Sequence, residues 1–487
     1  MSDEAKNKVV KAVSSMKNGT PASTSVKKGI IHVFIANTIN ISIGLFTAFF
    51  LPKFLSVDSY ANIKLFNLYI TYLGILHLGY ADGMYLRNGG KSIYLLDGKE
   101  AKTEFDTFKI FQVVMCLLMV GVSLAIGNQI LLLCSLVILP VNVSSYVRNL
   151  YNAVGEFKKY SRYTNINTLM IFAINLILLF IIKTDYYLFY IIAYVVVYFI
   201  YWVFIEYELR KVLGKPKRSF RFEKRYMKEN VGAGIFLMTG NFCNVIFTSI
   251  DRLFVKNLVG MVEFAYYSFA VSIENLLNVF INPISITMYN YFCRGKGHAR
   301  VIRVKRYSLL LAAVIVAFAF PARFVIETWL PKYIDSISVL FFLIAAQYAA
   351  MLVKIVHVNL YKSKKQQKKY FKIMICIIIA SVVLNIMGYL LFRSATSIAV
   401  ATLATNIIWF IIGEIDLREY ALHFKDYLFF ILNMVAFLAC GLNLGAILGF
   451  AIYCVFVMIC AALFEFDTCK TLFVEVKRVI RRRNGKT

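Results

Sequence analysis

Asn149-Leu150-Tyr151-Asn152-Ala153-Val154-Gly155-Glu156-Phe157-Lys158-Lys159-Tyr160 returns as Asn359-Leu360-Tyr361-Lys362-Ser363-Lys364-Lys365-Gln366-Gln367-Lys368-Lys369-Tyr370. The Asn-Leu-Tyr and Lys-Lys-Tyr positions are identical at an offset of 210. Each copy joins the end of one long apolar run to the start of the next. Met84-Tyr85 and Met288-Tyr289 recur at an offset of 204, followed by Arg87 and Lys91 in one copy and by Arg294 and Lys296 in the other. Both offsets span six apolar runs. Six is even, so the copies would cross a membrane in the same direction, giving two parallel six-helix lobes about an axis along the membrane normal. Convergent interface chemistry is the alternative, because aromatic and Lys residues gather at helix ends in any case.

Working outward, apolar runs fall at about 30–51, 62–86, 108–127, 129–150, 164–182, 186–207, 230–256, 263–290, 307–326, 336–360, 371–391, 395–413, 427–444 and 446–464. The last two are parted by Gly441-Leu442-Asn443-Leu444-Gly445, a turn signal that makes them a hairpin rather than one span. Composition agrees. Of 487 residues 60% are hydrophobic and 16% charged, whereas a soluble protein carries about 25% charged residues. The polar, Lys-rich stretch 1–28 precedes an apolar run too long for a signal peptide, so that run is expected to be a retained helix.

The fold class expected is all-α, a polytopic membrane protein with about 14 transmembrane helices in two parallel six-helix lobes plus two C-terminal helices. The expected divisions are a basic N-terminus 1–29, an N-lobe 30–209, a basic linker 210–229, a C-lobe 230–413, helices 13 and 14 with their preceding loop 414–464, and a basic tail 465–487.

Lys and Arg number 54 against 26 Asp and Glu, a net +28. In a soluble chain such an excess suggests nucleic acid. Here 45 of the cations fall in alternate segments between runs, and 8 in the outside segments and adjoining helix ends. The positive-inside bias then places both termini in the cytoplasm, and nucleic acid is not an expected partner. Cationic loops can also touch anionic lipid headgroups, so membrane lipids are. The nine cysteines contain no Cys-x-x-Cys pair and read as small buried hydrophobes. The five histidines lack metal-ligand spacing and there is no phosphate-binding glycine loop, so no catalytic residue, metal or cofactor is assigned.

Ionisable residues at membrane depth are the functional pointers, each costing at least about 2.5 kcal/mol unless it faces protein or water. Asp251, Arg252 and Lys256 lie near the outer end of the seventh run. Arg252 and Lys256, four residues apart, form a cationic patch for an anionic substrate, or Arg252 pairs locally and Lys256 reaches outward. Glu274 falls at mid-membrane in the eighth run, with Asn278 and Asn282 on successive turns below it. That stripe either lines a cavity, with Glu274 as an ion-coupling group beside Asp251, or joins helices. Lys64 is shallow. Lys354 reaches the interface or presents its charge to an inward-open cavity. Pro140 and Pro283 are expected hinges.

The stretch Gly240-Asn241…Ser249-Ile250-Asp251-Arg252-Leu253-Phe254…Gly260…Ala265-Tyr266-Tyr267-Ser268-Phe269-Ala270…Pro283 resembles the polysaccharide transporters. It resembles in particular the bacterial O-antigen and capsule-repeat flippases of the multidrug/oligosaccharidyl-lipid/polysaccharide superfamily. Leu78-Gly79-Tyr80-Ala81-Asp82-Gly83…Arg87 and Leu150 to Tyr160 look like the same family. The resemblance implies a flippase that carries an undecaprenyl-pyrophosphate-linked oligosaccharide across the bacterial inner membrane by alternating access. The resemblance also implies that the protein is not an enzyme and that a polysaccharide polymerase and a chain-length regulator are its expected partners. A pyrophosphate needs Arg or Lys at depth, which makes Arg252, Lys64 and Lys354, with Asn278 and Asn282, the candidate substrate contacts. Moving negative charge outward against an inside-negative potential gains about 2.3 kcal/mol per charge per 100 mV. The alternatives are a lipid II flippase and a multidrug cation antiporter of the same superfamily. The antiporters usually carry a carboxylate in the first-lobe cavity, where the first run offers only Asn37 and Asn40. The absence of a long outer loop or paired acidic site argues against a membrane glycosyltransferase.

Overall fold

The computed structural model describes residues 42–93, 96–213, 221–294, 297–471 and 474. Helices dominate, and there is no strand among the described residues. In chain order they are α1 (Ser42–Phe54); α2, broken into Val57–Tyr72, the turn Leu73–His77 and Tyr80–Asn88; α3 (Gly98–Ile126); α4, bent between Gln129–Leu136 and Ile138–Ala153; α5 (Phe157–Ile182); α6 (Tyr187–Leu213); and α7 (Lys224–Phe247). There follow α8 (Met261–Arg294), α9 (His298–Trp329), α10 (Ser336–Ser363), α11 (Gln367–Phe392), α12 (Ala395–Asp416), α13 (Phe424–Asn443) and α14 (Ala446–Phe464). Eleven of these are each long and apolar enough to cross a membrane, and the bent pair of α4 makes twelve. The chain is a multi-pass helical membrane protein. Asn37, Asn40 and most of both tails lie outside the described residues.

Several ends differ from the apolar runs. α3 begins ten residues before its run, where the Asp97 side chain accepts from Lys99 N at 2.8 Å, and α9 begins at His298 rather than 307. Hydropathy marks only the lipid-facing part of a helix, while the backbone continues wherever the polar end is capped or packed. α7 stops at Phe247 instead of reaching 256. Beyond it come the turn Ile250–Phe254 and the π turn Val255–Val259, so Arg252 and Lys256 do not share an α-helical face. The 41° bend of α4 falls at Val137. Pro140 lacks an N–H, and its ring crowds the carbonyl four residues back, at Leu136. Pro283, by contrast, is carried inside a helix that continues to Arg294.

The chain divides into two compact units, Met1–Val245 and Ile246–Thr487. In the first, the second half of α4 packs against the end of α2 and against α3, α5 and α6. Its core is aromatic. Phe108 lies 5.0 Å from both Tyr80 and Tyr146 between ring centroids, and Tyr80 and Tyr201 donate their hydroxyls to the carbonyls of Glu104 and Tyr163. The start of α7 docks on α2 through glycines. A Cβ at Gly83 would lie 1.9 Å from the Asn230 carbonyl oxygen, and one at Gly234 would lie 2.0 Å from that of Gly79. Asn230, fully buried, donates to Glu104 and accepts from Arg87 at 2.8 Å.

In the second unit α10 takes the equivalent central place, packed against α8, α9, α12 and α13. Ala345, Ala346, Ala349 and Ala350 are all buried there, and small side chains let helices approach closely. The apolar residues left exposed, such as Leu117 and Leu118 on α3 or Leu390 and Leu391 on α11, suit contact with lipid.

The internal repeat is visible bond by bond. After α4, Val154 N, Gly155 N and Glu156 N donate to Leu150, Asn152 and Tyr151; after α10, Lys364 N, Lys365 N and Gln366 N donate to Leu360, Lys362 and Tyr361. Gly155 at φ +77° and Lys365 at φ +57° occupy the same left-handed position. A second correspondence has no counterpart in the sequence motifs. Each unit buries a Lys–Glu pair: Lys109 on α3 to Glu206 on α6 at 2.9 Å, and Lys305 on α9 to Glu414 on α12 at 2.5 Å. Lys305 precedes the ninth apolar run, and the early start of α9 puts it on a helix and buries it; Lys109 is the second residue of the third run and is buried as well.

Candidate functional site

The second unit gathers five polar side chains from α8 and α10. Gln347 Nε2 donates to Glu274 Oε1, and Gln347 Oε1 accepts from Lys354 Nζ at 3.2 Å. Lys354 Nζ also donates to Asn278 Oδ1 at 3.3 Å, and Asn278 Nδ2 to Asn275 Oδ1 at 3.2 Å. The amide orientation follows from the partners, since an ionised carboxylate only accepts and an ammonium only donates. Gln347 therefore links the two charged groups.

The backbone around Lys354 is itself unusual. Val353–His357 winds as a π turn, a form often found at functional sites. The carbonyl of Lys354 accepts from Ser285 Oγ at 2.8 Å and from Asn359 Nδ2 at 3.2 Å. Asn359 donates further to the carbonyls of Ser285 and Ile355. The first Asn of the repeated motif thus holds the turn that carries Lys354.

Beyond the end of α7, Asp251 is buried and accepts from Tyr267 OH at 2.6 Å and from Arg252 N at 2.8 Å. Tyr267 OH also lies 3.3 Å from Thr402 Oγ1 on α12. The Asp251 carboxylate is thereby held by a phenol and a backbone amide. Arg252 Nε is buried with no acceptor among the described residues, a donor suited to an incoming anion.

Of the residues expected from sequence, Glu274, Asn278 and Lys354 form one connected network. Asp251 and Arg252 form a second local arrangement in the same unit. Asn282 is exposed on α8. Lys64 belongs to the first unit, half-buried on α2 with its ammonium 5.1 Å from the Tyr60 ring centroid. Lys256 is half-buried within the π turn after Arg252. Gln347, Tyr267, Ser285 and Asn359 are not among the candidate site residues that the sequence offers. For Gln347 the available signal was an amide inside an otherwise apolar run; for Asn359 it was the repeat. Among the described residues no group of three or more His, Cys, Asp or Glu is placed to hold a metal ion.

Residues 107–296 match the family described as polysaccharide biosynthesis protein. That segment runs from α3 through α8 and includes Asp251, Arg252, Glu274 and Asn278. No curated protein matches the chain by sequence. Among solved structures, the lipid II flippase MurJ in an inward closed conformation is similar at TM-score 0.57 and 14% identity, covering 90% of this chain and 99% of that one. An outward-facing MATE family multidrug resistance transporter of the MOP superfamily is similar at TM-score 0.51 and 13% identity, over 81% of this chain and 96% of that one. A MATE structure in the straight conformation gives TM-score 0.50 and 13% identity over the same shares. The chain therefore carries the pattern of the polysaccharide biosynthesis proteins over residues 107–296, on the fold of the MOP-superfamily transporters.

Proposed function

We propose that this protein is a flippase that moves an undecaprenyl-pyrophosphate-linked oligosaccharide, an O-antigen or capsule repeat unit, across the bacterial inner membrane by alternating access, with both termini in the cytoplasm. The observation that carries the reading is Lys354, held on a π turn at membrane depth by two neutral amide oxygens. Neutral acceptors leave the ammonium's charge available to a phosphate, which can displace an amide oxygen without breaking a direct ion pair. Arg252, with its unsatisfied Nε, supplies a second cation for the same class of ligand. The match of residues 107–296 to polysaccharide biosynthesis proteins favours a glycan-linked lipid. Glu274, tied to Lys354 through Gln347, is the group through which a proton could couple to substrate binding. The function needs no bond-making chemistry, and membrane lipids are the immediate surroundings.

Lipid II is a second substrate of the same chemistry, favoured by the fold shared with MurJ. Gene deletion followed by mass analysis of lipid-linked intermediates separates the readings. The proposal expects an undecaprenyl-pyrophosphate repeat unit to accumulate while surface glycan disappears. Accumulated lipid II would reassign the substrate. No accumulated intermediate, with changed tolerance to cationic drugs, would make the protein an antiporter.

A further inference from the structure

The first unit has a groove of about 470 Å³ lined by residues of α3, α4 and α6, among them Lys109, Val113, Leu139, Trp202, Glu206 and Arg210. It opens on an apolar face, where Val113 and Val203 are exposed. One end is ionic: Glu206 Oε1 accepts from Lys109 at 2.9 Å and from Arg210 at 2.6 Å, and Lys109 also meets Asp106 at 3.1 Å. The Arg210 side chain is 70% exposed, so much of its guanidinium faces outward. The other end is apolar. Trp202 lies there with its Nε1 buried and without an acceptor among the described residues. Arg210 lies eight positions beyond Trp202, about 12 Å along α6.

We propose that this groove binds an anionic glycerophospholipid of the leaflet facing the basic loops, its phosphate on Arg210 and the upper part of one acyl chain along Val113, Leu139 and Trp202. Lys109 and Arg210 at the ionic end are balanced by Asp106 and Glu206, so the positive charge that selects an anionic headgroup is that of the segment running on from Arg210. Segment 208–229 carries nine Lys and Arg against three Glu, so the groove mouth lies where a basic juxtamembrane segment begins. The apolar walls distinguish this lipid from a free phosphate. The site is independent of the transport reading, because its readout is lipid occupancy rather than translocation.

Trp202 makes the test direct. The full chain with Trp329→Phe and Trp409→Phe keeps Trp202 as its only tryptophan. It is reconstituted in vesicles containing phosphatidylglycerol or phosphatidylcholine brominated on the acyl chain, at equal mole fraction. The proposal expects brominated phosphatidylglycerol to quench Trp202 with about fivefold higher apparent affinity. Arg210→Gln should remove the preference, and Val113→Phe, which narrows the apolar part, should reduce quenching by both lipids. Equal quenching by the two lipids, or a preference unaffected by Arg210→Gln, overturns the site. Relief of quenching by stoichiometric unlabelled undecaprenyl phosphate also overturns it, assigning the groove to a polyprenyl chain.

Discussion

Lys305→Met should destabilise the protein far more than Lys109→Met combined with Asp106→Asn, although each removes the lysine of a buried Lys–Glu pair. Lys305 is fully buried and donates to Glu414 Oε1 at 2.5 Å and to the Tyr420 carbonyl at 2.7 Å. The other partners of Glu414 are His357 Nε2 at 2.8 Å, Tyr427 OH at 2.7 Å and Leu422 N at 3.4 Å. Without Lys305 the carboxylate keeps its hydrogen bonds but loses its permanent counter-charge, a change that costs about 3–5 kcal/mol in a buried pair. Glu206 is different, because Arg210 donates to the same oxygen as Lys109 and remains after its loss; the comparison variant also carries Asp106→Asn, because the buried Asp106 carboxylate pairs with Lys109 at 3.1 Å and would otherwise be left without a cation. We expect about 1–2 kcal/mol there. In a unit of about 240 residues the first loss lowers the melting temperature by roughly 10 °C and the second by a few degrees. The assay is thermal unfolding of detergent-solubilised protein followed by size-exclusion fluorescence. Lys305→Met/Glu414→Gln should recover most of the loss, since no buried charge is left alone. Equal shifts for the two lysine variants, or a double variant no better than Lys305→Met, would refute the reasoning.

Further outcomes test other parts of the account. Gly83→Ala should cost about 3 kcal/mol, because its Cβ would meet the Asn230 carbonyl and force α2 and α7 apart; Gly121→Ala, with nothing within 4 Å, should be neutral or stabilising in the same thermal assay. Glu465, just beyond α14, has its carboxyl raised to about 7 by burial and by its neighbour Asp426. The folded protein therefore holds a proton that the unfolded chain releases, so stability falls as pH rises from about 4.5 to 7. Glu465→Gln should flatten that part of the melting-temperature profile. Glu274→Gln should abolish the pH-gradient dependence of transport in proteoliposomes; an unchanged dependence would leave Glu274 a structural link to Gln347.

Much of the fold was legible because a bilayer makes hydropathy decisive. The positions of α3 to α14 follow from apolar runs, and the offset of 210 marked two turns that prove equivalent in their hydrogen bonds. Helix ends were not legible, since Gly98–Phe108 and His298–Arg306 are polar in sequence yet helical. The polar start of α9 hides Lys305, and neither Lys305 nor Lys109 betrays its partner, because the glutamates sit about 100 residues away in sequence. Glu274, Asn278 and Lys354 stood out as polar groups at depth, but the amide of Gln347 that joins them did not. Nor did the break after Phe247, which separates Arg252 and Lys256 from the α-helical spacing assumed for them. Both depend on tertiary hydrogen bonding that periodicity does not encode.

The central claim is that cations at membrane depth in the second unit carry a pyrophosphate-linked glycan across the bilayer. Its most direct test reconstitutes the purified protein in vesicles holding an undecaprenyl-pyrophosphate oligosaccharide in one leaflet and measures glycan exposure to a glycosidase on the opposite side. Wild type should transfer the glycan, Arg252→Lys should keep part of the rate, and Arg252→Ala should lose at least tenfold, about 1.4 kcal/mol, at equal reconstituted protein. No transfer by the wild type, or equal transfer by all three proteins, would contradict the account.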